Sequence, residues 1–424
     1  MKLNAMLDVA VVAHEAEDEV TVLVDLEAPA APVDTTRAPA SLQVVLDRSG
    51  SMAGPPLEGA KAALVALIRR LEPTDNFGLV TFDDSAQVVV AAGPLTDKEG
   101  AIRAVESVHS GGTTDLSAGY LRGLRELRRV AASGTVLVVS DGHVNAGLSD
   151  VDEFAAVTAK AYADGVVTST LGYGRGYDET LLAAIARAGS GNHVFADNPD
   201  AAGAAIAGEV DGLLNKVVQA ASLIVTVEDP VVLAHLYNDL PTRQISANQL
   251  MIELGDFFGA EGRRVLMKFR VPGMAALGPA RIATLELAYV ELPGLIEHVV
   301  TLPISVNVVP GDEAAGRVPH PTVRSEALFQ EAQESKRRAS EALERGDVGA
   351  GEALFEEARA RLHEALPIAP AGLDRDIRAE LDTVDAMGGM VHDLGSAYVA
   401  KLSRDSHHQM NRKRGRAPRM GSSE

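Results

Sequence analysis

Between residues 41 and 216, short apolar runs alternate with segments of helical period. The runs fall at 42–46, 77–82, 87–90, 135–139, 166–171 and 192–195. The helical segments fall near 57–71, 98–108, 116–131, 150–163, 178–188 and 199–214. Strands of this kind bury both faces, so the alternation predicts an α/β fold, a mostly parallel, doubly wound sheet with helices on either side. In such sheets a ligand binds outside the carboxyl ends of the strands, where strand order reverses.

The periodicity differs elsewhere. In residues 19–26, Val20, Val22, Val24 and Leu26 alternate with Thr21, Leu23 and Asp25, the period of a half-buried strand. Pro29, Pro32 and Pro39 then mark an extended linker. From 217 to 309, strand patterns recur at 223–227, 250–254, 265–271, 282–289 and 299–308, with Gly and Pro between them. That pattern predicts an antiparallel β-sandwich. A lone N-terminal strand would be an unpaired edge, so it is expected to join this sheet. Residues 325–345 and 348–366 flank Gly346 and Asp347 as a helical hairpin, and 374–402 make a third helix. The expected organisation is therefore an N-terminal strand and linker (1–39), an α/β domain (40–216), a β-sandwich (217–310), a helical region (322–405) and a basic, disordered tail (406–424). The α/β domain is inserted in the sandwich or followed by it.

Composition removes several function classes. With 39 Lys+Arg against 59 Asp+Glu, the formal charge is -20, and most of the surface would repel polyphosphate. Nucleic acid is not the expected partner. The absence of Cys excludes disulfides, thiolate catalysis and Cys-based zinc sites. No stretch approaches the ~18 apolar residues of a spanning helix, and the N-terminus lacks a secretory cleavage pattern. The expected location is the cytoplasm.

Three separated pieces carry the chemistry. Asp47-Arg48-Ser49-Gly50-Ser51 follows the apolar run LQVVL, Gly111-Gly112-Thr113-Thr114-Asp115 precedes a helical segment, and Ser140-Asp141-Gly142 follows TVLVV. Their side chains offer oxygen rather than sulfur or imidazole, which suits Mg²⁺, Ca²⁺ or Mn²⁺. A tight loop leaving a strand can turn the alternate side chains of Asp47, Ser49 and Ser51 toward one point, and Gly50 relieves crowding. Thr114 adds a hydroxyl and Asp141 a second carboxylate. Two carboxylates at most neutralise a divalent ion, so an open face would accept a carboxylate from a partner protein.

With these pieces in place, the chain resembles the von Willebrand factor A family and its metal-ion-dependent adhesion site. The likeness covers about 41–216 and rests on VVLDRSGSM, NFGLVTFDD, GGTTDLSAGY, VLVVSDG and GRGYDETLLAAIARAGSGNHVFADN. It implies a Rossmann-like domain and metal ligands at Asp47, Ser49, Ser51, Thr114 and Asp141. The wider chain is similar to bacterial intracellular members related to the calcium-activated chloride channel and inter-alpha-trypsin inhibitor heavy-chain groups. The implied function is a non-enzymatic, metal-dependent scaffold for protein–protein interaction. The alternative is a non-catalytic subunit that works with a MoxR-type AAA+ ATPase in assembly or in metal or cofactor insertion; the ATPase would be another chain because no ATP-binding loop is present here.

Other features have plainer readings. Arg48 either contacts a partner beside the cation or is a solvated loop arginine. Met52 packs under its loop. His109 and His143 are expected as exposed loop residues, and Asp83-Asp84 as a solvated hairpin turn. Gly54–Gly59 fails as a phosphate loop because Ala60 stands where Lys is required. Residues 172–176 are a glycine-rich strand exit.

Overall fold

The computed structural model describes residues 1–31, 39–141, 144, 146–173, 179–196, 203, 206, 208, 215–396, 399–400, 402–403 and 406. The expected linker core, the helix at 199–214, the loop at 174–176, His143 and the basic tail lie wholly or almost wholly outside these residues. The chain divides into two compact units. One joins Met1–Ala31 to Val217–Glu424; the other is Pro32–Lys216.

The first unit opens with three strands, β1 (Lys2–Leu7), β2 (Val11–Ala13) and β3 (Asp18–Glu27), where the sequence pattern predicts a single one. β1 escapes the pattern because apolar Met6, between Ala5 and Leu7, breaks the alternation. β2 is too short to show any period.

The unit between Pro32 and Lys216 is built on a six-stranded sheet. Its strands are β4 (Ser41–Asp47), β5 (Asn76–Phe82), β6 (Ala86–Pro94), β7 (Gly134–Ser140), β8 (Val166–Tyr173) and β9 (Ser190–Ala196). The order is β6-β5-β4-β7-β8-β9, parallel throughout except for the antiparallel edge pair β5–β6. Every residue of β4 is buried, as a central strand covered on both faces requires. Leu42, Val44 and Leu46 face one layer, which includes Leu57, Leu64 and Leu67 of α1 (Pro55–Arg70) and Ile102 of α2 (Lys98–Glu106). Val45 faces the other, with Tyr120 of α3 (Leu116–Arg128), Phe154 of α4 (Val151–Ala163) and Ile185 of α5 (Glu179–Ala188). The neighbours of β4 diverge in order, β5 on one side and β7 on the other. The carboxyl ends of β4 and β7 thus form the switch point at which such sheets bind ligands.

The remaining strands are β10 (Lys216–Val227), β11 (Val232–Leu236), β12 (Thr242–Ser246), β13 (Gln249–Phe258), β14 (Gly262–Val271), β15 (Gly278–Glu291) and β16 (Ile296–Val309). They form two sheets with the N-terminal strands, ordered β1-β3-β14-β11 and β12-β13-β10-β15-β16-β2. β3 pairs with β14 over its whole length, Asp18 opposite Val271 and Glu27 opposite Gly262. Inward side chains of both sheets, including Val22, Val24, Leu223, Leu285 and Met267, share one core. The pairing is not wholly antiparallel, because β2 joins β16 in parallel. β12 has no apolar pattern because all five of its residues are exposed.

A short helix, α6 (Gly311–Ala315), leads to α7 (Pro321–Glu344), α8 (Val348–Ala365) and α9 (Leu373–Leu394). The expected third helix, 374–402, is broken at Gly395, whose φ of 88° suits a residue without Cβ, and Ser396, Val399, Ala400, Leu402 and Ser403 beyond it are again helical. Gly346 (φ 80°) makes the α7–α8 turn, and Asp347 caps α8 by accepting from the Ala350 amide at 3.1 Å. α7 is buried on two sides. Val323 and Ala327 pack on Leu23 of β3 and Leu266 of β14, while Leu328, Ala332 and Leu343 face α8 and α9. Among the described residues, no helix is long and apolar enough to cross a membrane.

Candidate functional site

Asp47 ends β4 and Ser140 ends β7. Leu46 and Val139 are register partners, so the next residue of each strand comes side by side. Ser140 Oγ donates to Asp47 Oδ2 at 2.6 Å, and the Ser49 amide donates to Asp47 Oδ1 at 2.8 Å. Asp47 is fully enclosed, at 0% exposure. Burial pushes its carboxyl above the ordinary aspartate value, the two serines act against that push, and the neighbouring Asp141 charge adds to it.

The chain beyond Asp47 turns tightly. Ser49 Oγ and Ser51 Oγ lie 3.1 Å apart, so alternate side chains do converge. Ser49 is buried and Ser51 exposed, which puts one hydroxyl inside and one at the rim. Met52 beneath them is wholly buried in the core against α1.

Thr114 and Asp141 are both buried. Thr114 precedes α3, whose cap is Asp115, accepting from the Ala118 amide at 2.9 Å and the Ser117 hydroxyl at 2.6 Å. Backbone bonds fasten the loops to one another. Gly50 N donates to Gly112 O at 3.2 Å and Gly111 N to Arg48 O at 2.8 Å. The stretch after Asp141 is tied in by Ala146 N donating to Thr114 O at 3.1 Å. His109 is exposed, as its position in the sequence suggested.

Two residues behave differently from the sequence expectation. Asp83 is buried rather than a solvated turn residue, and Arg48 is neither free nor fully solvated. Arg48 Nη2 lies 2.7 Å from Asp83 Oδ2. Burial acts to raise the Asp83 carboxyl, but the Ser85 amide and the Arg48 guanidinium outweigh it and hold the group below its usual range. Ser140 was also missed as a participant. The available signal was its place beside Asp141 at a strand end, one residue beyond the apolar run.

The donor set fits a hard divalent cation. Two carboxylates and three hydroxyls come from three loops at the switch point, and the hydrogen-bond partners of Asp47 are neutral serine groups. Among the described residues, no group of three or more His, Cys, Asp or Glu comes together to hold a metal, so a cation here would depend on the hydroxyls as well.

Residues 42–204 match the family model of the von Willebrand factor type A domain. Uncharacterized protein sll0103 of Synechocystis sp. is 31% identical over 39% of this chain, a stretch that spans 40% of that protein. Human inter-alpha-trypsin inhibitor heavy chain H3 is 29% identical over 39% of this chain, which spans 20% of its length. Over the whole chain the fold resembles a von Willebrand factor type A protein from Catenulispora acidiphila, with a TM-score of 0.73 at 16% identity, covering 98% of this chain and 97% of the other. It also resembles the ArnB paralog VWA2 from Sulfolobus acidocaldarius, with a TM-score of 0.65 at 14% identity, covering 98% and 99%.

Proposed function

From a von Willebrand factor type A domain over residues 42–204, a domain that commonly mediates protein–protein interaction, we propose that this chain is a metal-dependent interaction scaffold. In this reading Asp47, Ser49, Ser51, Thr114 and Asp141 hold Mg²⁺, or Ca²⁺ or Mn²⁺, directly or through water. The bound cation supplies an electrophilic face to an Asp or Glu carboxylate of a partner protein. The observation that carries the reading is Asp47. A fully buried carboxylate is held in one orientation by Ser140 and the Ser49 amide, beside a second carboxylate and with neutral hydrogen-bond partners. Such an arrangement is costly unless a cation completes it.

The scaffold binds without turnover. Asp47 and Asp141 serve as ligands, and the exposed hydroxyl of Ser51 is engaged with Ser49. Mn²⁺ titration followed by electron paramagnetic resonance tests the site. Wild type should take up one ion per chain, and Asp47→Ala should take up none. Affinity capture with wild type and Asp47→Ala, each with Mg²⁺ and with EDTA, tests the partner. A partner retained by the mutant or in EDTA would remove the metal-bridged reading.

A further inference from the structure

Arg48 and Asp83 occupy a particular place in the site. Arg48 lies between the ligand positions Asp47 and Ser49. Its amide donates to Phe82 O at 2.9 Å, and its carbonyl accepts from Gly111 N at 2.8 Å. Asp83 follows Phe82, and its carbonyl accepts from the Asp115 amide at 2.7 Å, one residue beyond Thr114. Each of the two residues thus grips the second ligand loop through its backbone. Their side chains grip each other at 2.7 Å. Gly112 of the second loop lies against Asp83, with φ of 42°, and a Cβ added there would come within 2.9 Å of Asp83 Cβ.

We propose that the Arg48–Asp83 ion pair is a positioning latch that sets the Asp47-Ser49-Ser51 loop against the Thr114 loop and thereby tunes cation affinity. The proposal rests on the metal-binding reading above for its affinity arm only. The pair is largely shielded, with Asp83 side-chain exposure of 6% and Arg48 of 25%. Shielding makes it stronger than an open surface pair. The Arg48 Nε is buried and has no hydrogen-bond partner, so the contact through Nη2 is what anchors the guanidinium.

The latch makes a prediction opposite in sign to simple electrostatics. Arg48 places a positive charge next to the cation site. By charge alone, Arg48→Met should tighten Mn²⁺ binding. A latch requires the reverse, because the substitution frees the first loop and leaves Asp83 buried without its counter-ion.

The test uses the full chain in two arms. The first measures Mn²⁺ affinity for wild type, Arg48→Met, Arg48→Lys, Asp83→Asn and the swap Arg48→Asp with Asp83→Arg. The latch predicts a loss of about 10-fold for Arg48→Met and Asp83→Asn, a smaller loss for Arg48→Lys, and partial recovery in the swap. The second measures amide exchange at Gly50 and Gly111 in EDTA, where the latch predicts exchange about 10-fold faster in Arg48→Met than in wild type. Arg48→Lys serves as the readout if Arg48→Met does not fold. Unchanged or tighter Mn²⁺ binding in Arg48→Met, with unchanged amide exchange, overturns the latch. If wild type itself takes up no Mn²⁺, the metal reading fails while the exchange arm still decides the latch.

Discussion

Replacing Asp47 with asparagine should leave the variant at least as stable as wild type without metal and less stable than wild type with it. The two side chains are nearly identical in shape. The carboxamide would keep its carbonyl oxygen toward the Ser49 amide, and its NH₂ group would donate to Ser140, whose hydroxyl can turn to accept. What changes is the charge. In EDTA the wild type carries Asp47 fully buried beside Asp141, and burial already disfavours its ionised form. The Asp47→Asn variant should therefore melt at or above wild type in EDTA. With Mg²⁺ at 100 times its dissociation constant, ligand linkage adds about 2.7 kcal/mol to wild type. For a unit the size of Pro32–Lys216, that corresponds to a rise of about 5–11 °C in the transition reporting on it. The variant should show almost none of this rise. Scanning calorimetry of the full chain, with EDTA and with a Mg²⁺ series, reads both effects. Equal rises in wild type and variant, or none in wild type up to millimolar Mg²⁺ and Mn²⁺, would refute the assignment of Asp47 as a ligand.

Two further outcomes follow from other buried polar groups. Lys336 of α7 pairs with Glu380 of α9, both at 0% exposure, with Gln333 Nε2 donating to the same carboxylate at 3.0 Å. Glu380→Leu alone should cost about 3–5 kcal/mol in denaturant unfolding, and adding Lys336→Met should recover most of it, because the lone buried charge is then gone; equal losses in single and double variants would show that packing, not charge, dominates. Tyr120 is wholly buried, its hydroxyl 2.8 Å from Thr168 Oγ1, and desolvation pushes its pKa up from 10.0 to about 12. The unfolded chain therefore loses the proton first, and about 2–3 kcal/mol of stability present below pH 10 is lost as pH rises toward 12; in Tyr120→Phe the alkaline decline over that window should be shallower by this amount.

The α/β unit was legible because its signals are local. Each strand of β4, β5, β7 and β8 is a short apolar run, and each helix has its own period, so α/β class and switch point follow from residues close in sequence. The places of Asp47 and Asp141 at strand exits and of Thr114 at a helix entry follow from the same local signals. β1, β2, β11 and β12 were not, since their formation depends on partners elsewhere in the chain rather than on their own alternation. The central helix α7 was read as one arm of a hairpin. Its Lys336 looks like a solvent-facing residue until α9 covers it.

Sequence alone determined the strands and helices whose own periodicity marks them, and which oxygen-bearing residues stand at the ends of the central strands. Tertiary structure decided which polar groups meet. Ser140 reaches Asp47 across 93 positions of chain, and Arg48 reaches Asp83 across a strand and a helix. Those meetings depend on sheet order and register, which are set by long-range packing, whereas periodicity and strand-end chemistry are set by neighbours a few residues away.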